Sequence, residues 1–146
     1  MGHFLENFFK GAGRYDLRFL GDRGASLVLH GTRIDMWHPL KGKGYADSYP
    51  LQRHISAMEP VRRPHILLTG HWHTFCYILD QGVHAFACPT FQGGGGSYGK
   101  AIGGAPDIGG LILRWRMSED GTLRDLGLRY HVVHEEHMVH DVEGAR

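Results

Sequence analysis

The sequence predicts a β-dominated α/β chain built around a mixed sheet. Two observations carry this expectation. First, the runs Arg33-Ile34-Asp35-Met36-Trp37-His38 and Ile66-Leu67-Leu68-Thr69 read as strands, each delivering histidine at or just past its end, with one amphipathic segment between them. Two strands joined through a helix form a crossover, and crossovers join parallel neighbours. Second, the apolar runs beyond residue 25 are mostly short and separated by glycine, aspartate or proline, which is the pattern of paired strands.

The elements follow in chain order. Phe4, Phe8, Leu17 and Leu20 stand near helical spacing, and Gly11 and Gly13 interrupt them, so residues 4–20 predict two short helical pieces. Strands are expected at 26–30, 33–38, 65–69, 74–79, 83–88, 110–117 and 125–133. His30-Gly31 falls between the first two strands and reads as turn chemistry. Residues 48–59 predict the one clear helix, which ends before Pro60. There are no internal repeats. A chain of 146 residues is long enough to bury one core, so residues 1–146 are expected to form a single domain.

Composition excludes several classes. The formal net charge is +1, so no electrostatic argument favours nucleic acid, which is expected only as a substrate. No apolar run approaches the ~20 residues a spanning helix needs. The N-terminus carries no long apolar segment of the signal-peptide kind. A cytoplasmic protein without membrane contact is the expectation. Cys76 and Cys88 sit on two strands joined by Asp80-Gln81-Gly82, near each other but not opposite, and are expected to be reduced.

Two further features are weighed and set aside. Gly94-Gly95-Gly96-Ser97-Tyr98-Gly99-Lys100-Ala101 superficially fits a phosphate-cradling loop, but Ala101 stands where a magnesium-binding hydroxyl is required. No helix can readily start at Ile102-Gly103-Gly104-Ala105-Pro106 either, so a flexible or plain surface loop is expected. His131, His134, His137 and His140 recur every third residue around Glu135 and Glu136. That spacing spreads them around a helix and alternates them on a strand, so a polar tail is expected.

Gly70-His71-Trp72-His73 carries the most chemistry. Two histidines flanking one residue at the mouth of a buried strand can turn both imidazoles into one cleft, and imidazole binds zinc, manganese and iron. The preceding glycine permits a tight bend. His38, at the end of the neighbouring strand, supplies a second signal. The bland alternative is one buried histidine and one solvated.

This arrangement resembles the calcineurin-like metallophosphoesterases. "PHILLTGHWH", Pro64 to His73, is similar to that family's last motif, and "RIDMWHP" to its penultimate one. "VHAFACPTFQ" and "GGLILRWRMSEDGTL" resemble sheet strands that follow in phage and archaeal members. The resemblance runs from about Tyr15 to Val133. It implies a four-layer sandwich, a metal-dependent phosphoester (phosphodiester) hydrolase, and His38, His71 and His73 as ligands of manganese, zinc or iron. His38 and His71 would serve one metal and His73 the other. The family's first three motifs, Asp-x-His, Gly-Asp-x-x-Asp and Gly-Asn-His-Asp or Glu, are absent. Gly21-Asp22-Arg23-Gly24 lacks the second aspartate, and Met1-Gly2-His3-Phe4 is at most a remnant of the third motif.

The chain is therefore expected to be the C-terminal portion of such a domain, without the carboxylate that bridges the metals. Three readings follow: a hydrolase portion completed by a separate upstream half-domain or an alternative start; a non-catalytic binding or structural module; and a mononuclear enzyme using His38, His71 and His73. A homodimer or a bound partner is expected in place of a free monomer. Weak metal binding and little hydrolysis are expected of the chain alone.

Overall fold

The computed structural model describes residues 2–16, 18–40, 42, 44–92 and 106–133, with side chains from residue 6 onward. Leu17, the glycine-rich stretch 93–105 and His134, His137 and His140 lie outside the described residues, as does the side chain of His3.

Helix α1 spans Gly2–Gly11. It is one helix, not the two pieces expected. Gly13 ends it at φ +79°, with its N–H on the Lys10 carbonyl and the Arg14 N–H on the Phe9 carbonyl at 2.8 Å. That pair of bonds satisfies the last helical carbonyls and needs a left-handed residue, which glycine supplies.

Strands β1 (Gly24–Leu29) and β2 (Thr32–Trp37) pair antiparallel through His30-Gly31. Both turn residues have positive φ, +49° and +79°. Such two-residue turns match the right-handed twist of the flanking strands. Strand β4 (Cys76–Asp80) and β5 (Val83–Ala87) use the same device at Gln81-Gly82, with φ +49° and +81°.

Between β2 and strand β3 (Ile66–Thr69) the chain forms helix α2 (Tyr49–Ser56) and a 3-10 turn at Pro60–Arg62. The helix is shorter than expected. It closes on Ala57, whose N–H bonds the Arg53 carbonyl, and Pro60 begins the separate turn. The crossover makes β2 and β3 parallel neighbours, as expected, in register Ile34↔Ile66 to Trp37↔Thr69. Strand β5 adds parallel on the far side of β3. The five-stranded mixed sheet has the order β1-β2-β3-β5-β4, with antiparallel strands at both edges. The fold is α/β and β-dominated.

The sheet buries both faces. Leu51 and Ile55, one turn apart on α2, pack with Trp72 on Leu67, Val83, Ala85 and Ala87. On the opposite face lie Ile34, Ile66 and Phe86. Strands β6 (Gly109–Met117) and β7 (Leu123–Val132) form an antiparallel ribbon whose Leu111, Leu113, Trp115 and Leu126 cover that second face. Because β3 is covered on both sides, its sequence is apolar without alternation. Burial of this kind is the main stabilising term in folding.

Cys76 faces Ala87 across the β4–β5 pair, and both Cys76 and Cys88 are free thiols. Burial pushes both thiols above the ordinary cysteine value. Among the described residues, no helix is long and apolar enough to cross a membrane.

Candidate metal site

Parallel strands in register place consecutive strand ends side by side. The Gly70 N–H bonds the Trp37 carbonyl at 3.1 Å, so the β2–β3 ladder continues to the last residue before each histidine. His38 is tied from the other side, where its N–H donates to the Arg23 carbonyl at 2.8 Å. The rings of His38 and His71 consequently meet, with centroids 5.0 Å apart and planes at 75°. Gly70 leaves them room. A Cβ there would lie 3.4 Å from His38 Nδ1.

The segment after β3 is held in an uncommon conformation. His71 has φ +78°, and the Trp72 N–H reaches back to the Gly70 carbonyl at 3.0 Å. This is a three-residue turn centred on His71, a strained geometry for a residue with a Cβ. His73 also has positive φ, +54°. Two features sustain the strain. Trp72 is 5% exposed and packs edge-on against Trp37, so the residue between the histidines is anchored in the core. Asp107 then holds the exit. Its carboxylate accepts the Phe75 N–H at 2.6 Å, and its own N–H donates to the His73 carbonyl at 2.8 Å. Backbone strain held this firmly is typical of functional sites.

The electrostatics favour neutral imidazole at His71. Burial, then the neighbouring His38, then His73, hold its pKa below the ordinary value. The neutral ring is the form that binds metal.

The residues fit part of a metal centre. An imidazole bonded to zinc at about 2.1 Å puts its ring centre roughly 3.2 Å from the ion, so two on a tetrahedral ion stand about 5 Å apart. The His38–His71 separation of 5.0 Å is compatible with that spacing, and is equally that of an edge-to-face ring pair. His73 is near enough to influence His71 electrostatically. A complete two-metal centre does not fit. Among the described residues, no group of three or more His, Cys, Asp or Glu side chains is arranged to hold an ion. Two of the nearby carboxylates, those of Asp35 and Asp107, have other partners. Asp35 accepts the Ser26 hydroxyl at 2.6 Å and lies 3.5 Å from Arg33, and Asp107 holds Phe75.

Residues that the sequence did not single out also border the site. A cavity of ≈450 Å³ opens beside His38 and Gly70, where β2, β3 and β5 end, and Arg18, Asp22 and Arg23 line it. The roles of Trp72 as anchor and Asp107 as clasp were not legible from spacing. The indole between two histidines was the one available signal.

No family model matches this chain, and no curated protein is significantly similar to it. Solved structures do match its backbone. A protein of Thermotoga maritima, TM1076, gives a TM-score of 0.40 at 17% identity over 75% of this chain and 54% of that one. Vps29 of Entamoeba histolytica complexed with Zn2+ gives 0.44 at 13% identity, over 78% of this chain and 63% of that one. A single-substitution variant of the same Vps29 gives 0.44 at 13%, over 79% and 64%. The chain thus spans between 54% and 64% of the length of these structures. At these scores and identities the likeness identifies neither a family nor a site residue.

Proposed function

We propose that this chain is the metal-binding portion of a phosphoester hydrolase domain, acting on a phosphodiester, and that a separate upstream half-domain completes it. Residues 1–146 are read as part of one domain. The observation that supports the reading is the meeting of His38 and His71 at 5.0 Å across adjacent parallel strand ends. His38 and His71 would hold one divalent cation, manganese, zinc or iron, and His73 would serve a second. When bound, the cation polarises the phosphoryl group and activates water. The chain's own residues favour the neutral ring at His71, leave room for the His38 ring through Gly70, and close the core behind them with Trp72. Neutral imidazoles cannot offset two divalent charges, so carboxylates must come from the completing partner. Two free thiols suit a reducing, cytoplasmic setting.

The test is a manganese titration with a phosphodiester assay, run on the chain alone, on His71→Ala and on the chain mixed with a polypeptide carrying the missing motifs. The chain alone should bind weakly and hydrolyse barely above background. His71→Ala should remove most of the binding, and the mixture should gain activity strongly. Unchanged binding in His71→Ala would overturn the assignment.

One observation favours a second reading, a non-catalytic binding or structural module. The described residues supply no three-ligand group. Under that reading no completing polypeptide restores hydrolysis, even where His38 and His71 bind an ion.

A further inference from the structure

The loop before β1, residues 18–24, is shaped at three points. The Phe19 N–H donates to Glu6 Oε2 at 3.2 Å, and the Arg23 carbonyl accepts the His38 N–H at 2.8 Å. Between them Gly21 adopts φ +147°, where a Cβ would come within 2.6 Å of the Gly24 carbonyl oxygen. Only glycine permits that bend. The loop thereby lays Arg18, Asp22 and Arg23 along the ≈450 Å³ cavity that His38 and Gly70 also border.

The charges there are unbalanced. Arg14, Arg33, Arg62 and Arg116 each lie beside a carboxylate. Arg18 and Arg23 are exposed, and neither is ion-paired with a described residue. Asp22 is the one acid among the described residues that line the cavity, which two arginines also line. Met36 of β2, Leu68 of β3 and Cys88, the residue after β5, add an apolar lining. In open α/β sheets, ligands bind beyond the carboxyl ends of the parallel strands. The volume lies within the range of small-molecule sites.

We infer that this cavity binds a phosphoester anion of an aromatic or aliphatic alcohol. Arg18 and Arg23 clamp the phosphate, and the Met36–Leu68–Cys88 lining takes the apolar ester group. Guanidinium is suited to this because its fixed fork of N–H donors matches paired phosphate oxygens. Calling the occupant the substrate rests on the hydrolase reading above, whereas the anion binding does not.

The experiment follows the arginine Nε signals by NMR in the metal-free chain, with chelator present, as inorganic phosphate and then phenyl phosphate are added. Binding should saturate, and phenyl phosphate should bind more tightly than phosphate. Arg18→Gln and Arg23→Gln should each weaken binding about tenfold, the scale of one charge-assisted hydrogen bond. Asp22→Asn should tighten it, and added salt should weaken it by screening. Manganese binding, measured by electron paramagnetic resonance on the same samples, should survive both arginine variants and be lost in His38→Ala. Phosphate binding that is absent, or unchanged in the folded arginine variants, overturns the cavity assignment even where manganese binds. Arginine-dependent phosphate binding without manganese binding leaves the cavity standing and sinks the metal reading.

Discussion

The indole of Trp37 and the imidazole of His54 lie face to face, with centroids 3.8 Å apart and planes within 5° of parallel. This contact joins β2 to α2 directly behind the strand end that carries His38. It makes the crossover sensitive to protonation. Burial holds the His54 pKa below the ordinary imidazole value, against a smaller opposing pull from Asp35. His71 and His84 are displaced in the same direction, with burial the first cause in each.

The sign follows from linkage. With folded-state pKa values below the unfolded value of about 6.5, the unfolded chain takes up protons first as pH falls. Stability is full above about pH 6.5 and declines from there down to the folded-state pKa values. The urea midpoint should therefore be lower at pH 5.5 than at pH 7.5, with a smaller drop in His54→Phe. Equal midpoints in the wild-type chain would contradict the sign.

His73 carries left-handed backbone at φ +54°. That conformation costs a residue with a Cβ of order 1–2 kcal/mol and costs glycine little. His73→Gly should therefore be more stable than His73→Ala by about 1 kcal/mol. Thermal melts of the two variants decide it, and equal melting temperatures would show that the loop relaxes.

Phe86 is fully buried beneath the β6–β7 ribbon. Phe86→Ala should cost about 3–5 kcal/mol, through lost burial and the void left behind. Val61 is 88% exposed, and Val61→Ala should stay within about 0.5 kcal/mol. Denaturant unfolding measures both.

Gly109 begins the ribbon at φ +155°, and a Cβ there would run into the His131 carbonyl and approach the Tyr130 ring to 2.9 Å. Gly109→Ala should destabilise by about 1–3 kcal/mol. The loss should appear first as faster amide exchange in β6 and β7. Uniform acceleration across the five-stranded sheet would place the ribbon and the sheet in one cooperative unit.

The outer edge of β1 is unpaired among the described residues, and Val28 and Leu29 on it are 70% and 42% exposed. Edges of this kind invite pairing with another chain. Sedimentation should show a dimer or a bound partner, and Val28→Lys should shift the chain toward monomer. A stable monomer at high dilution, without dye-binding apolar surface, would count against self-association.

Much of the fold was legible because its signals are local. His30-Gly31 marked a turn, and the unbroken apolar run at Ile66–Thr69 marked a strand buried on both faces. The single helix between β2 and β3 implied their parallel pairing. The error at residues 4–20 is instructive. In the sequence Gly11 and Gly13 look like interruptions within a helical region, whereas in the structure Gly13 is the left-handed stop that ends α1. A glycine's role depends on which carbonyls need satisfying, and spacing alone does not reveal that. The candidate site was legible only in part. His38 and His71 stood out because both sit at strand ends. Arg18 and Arg23 carry no such sign, since Gly21-Asp22-Arg23-Gly24 stands out in sequence only for its missing aspartate.

Sequence alone determined the kinds of element, their order and the crossover, because periodicity, turn chemistry and chain connectivity act over a few residues. Only the tertiary structure decided which side chains meet. The 5.0 Å approach of His38 to His71, the stacking of Trp37 on His54 and the capture of the Phe75 amide by Asp107 each join residues far apart in the chain. Such contacts depend on strand register, side-chain direction and the burial of Trp72, and long-range packing sets all three.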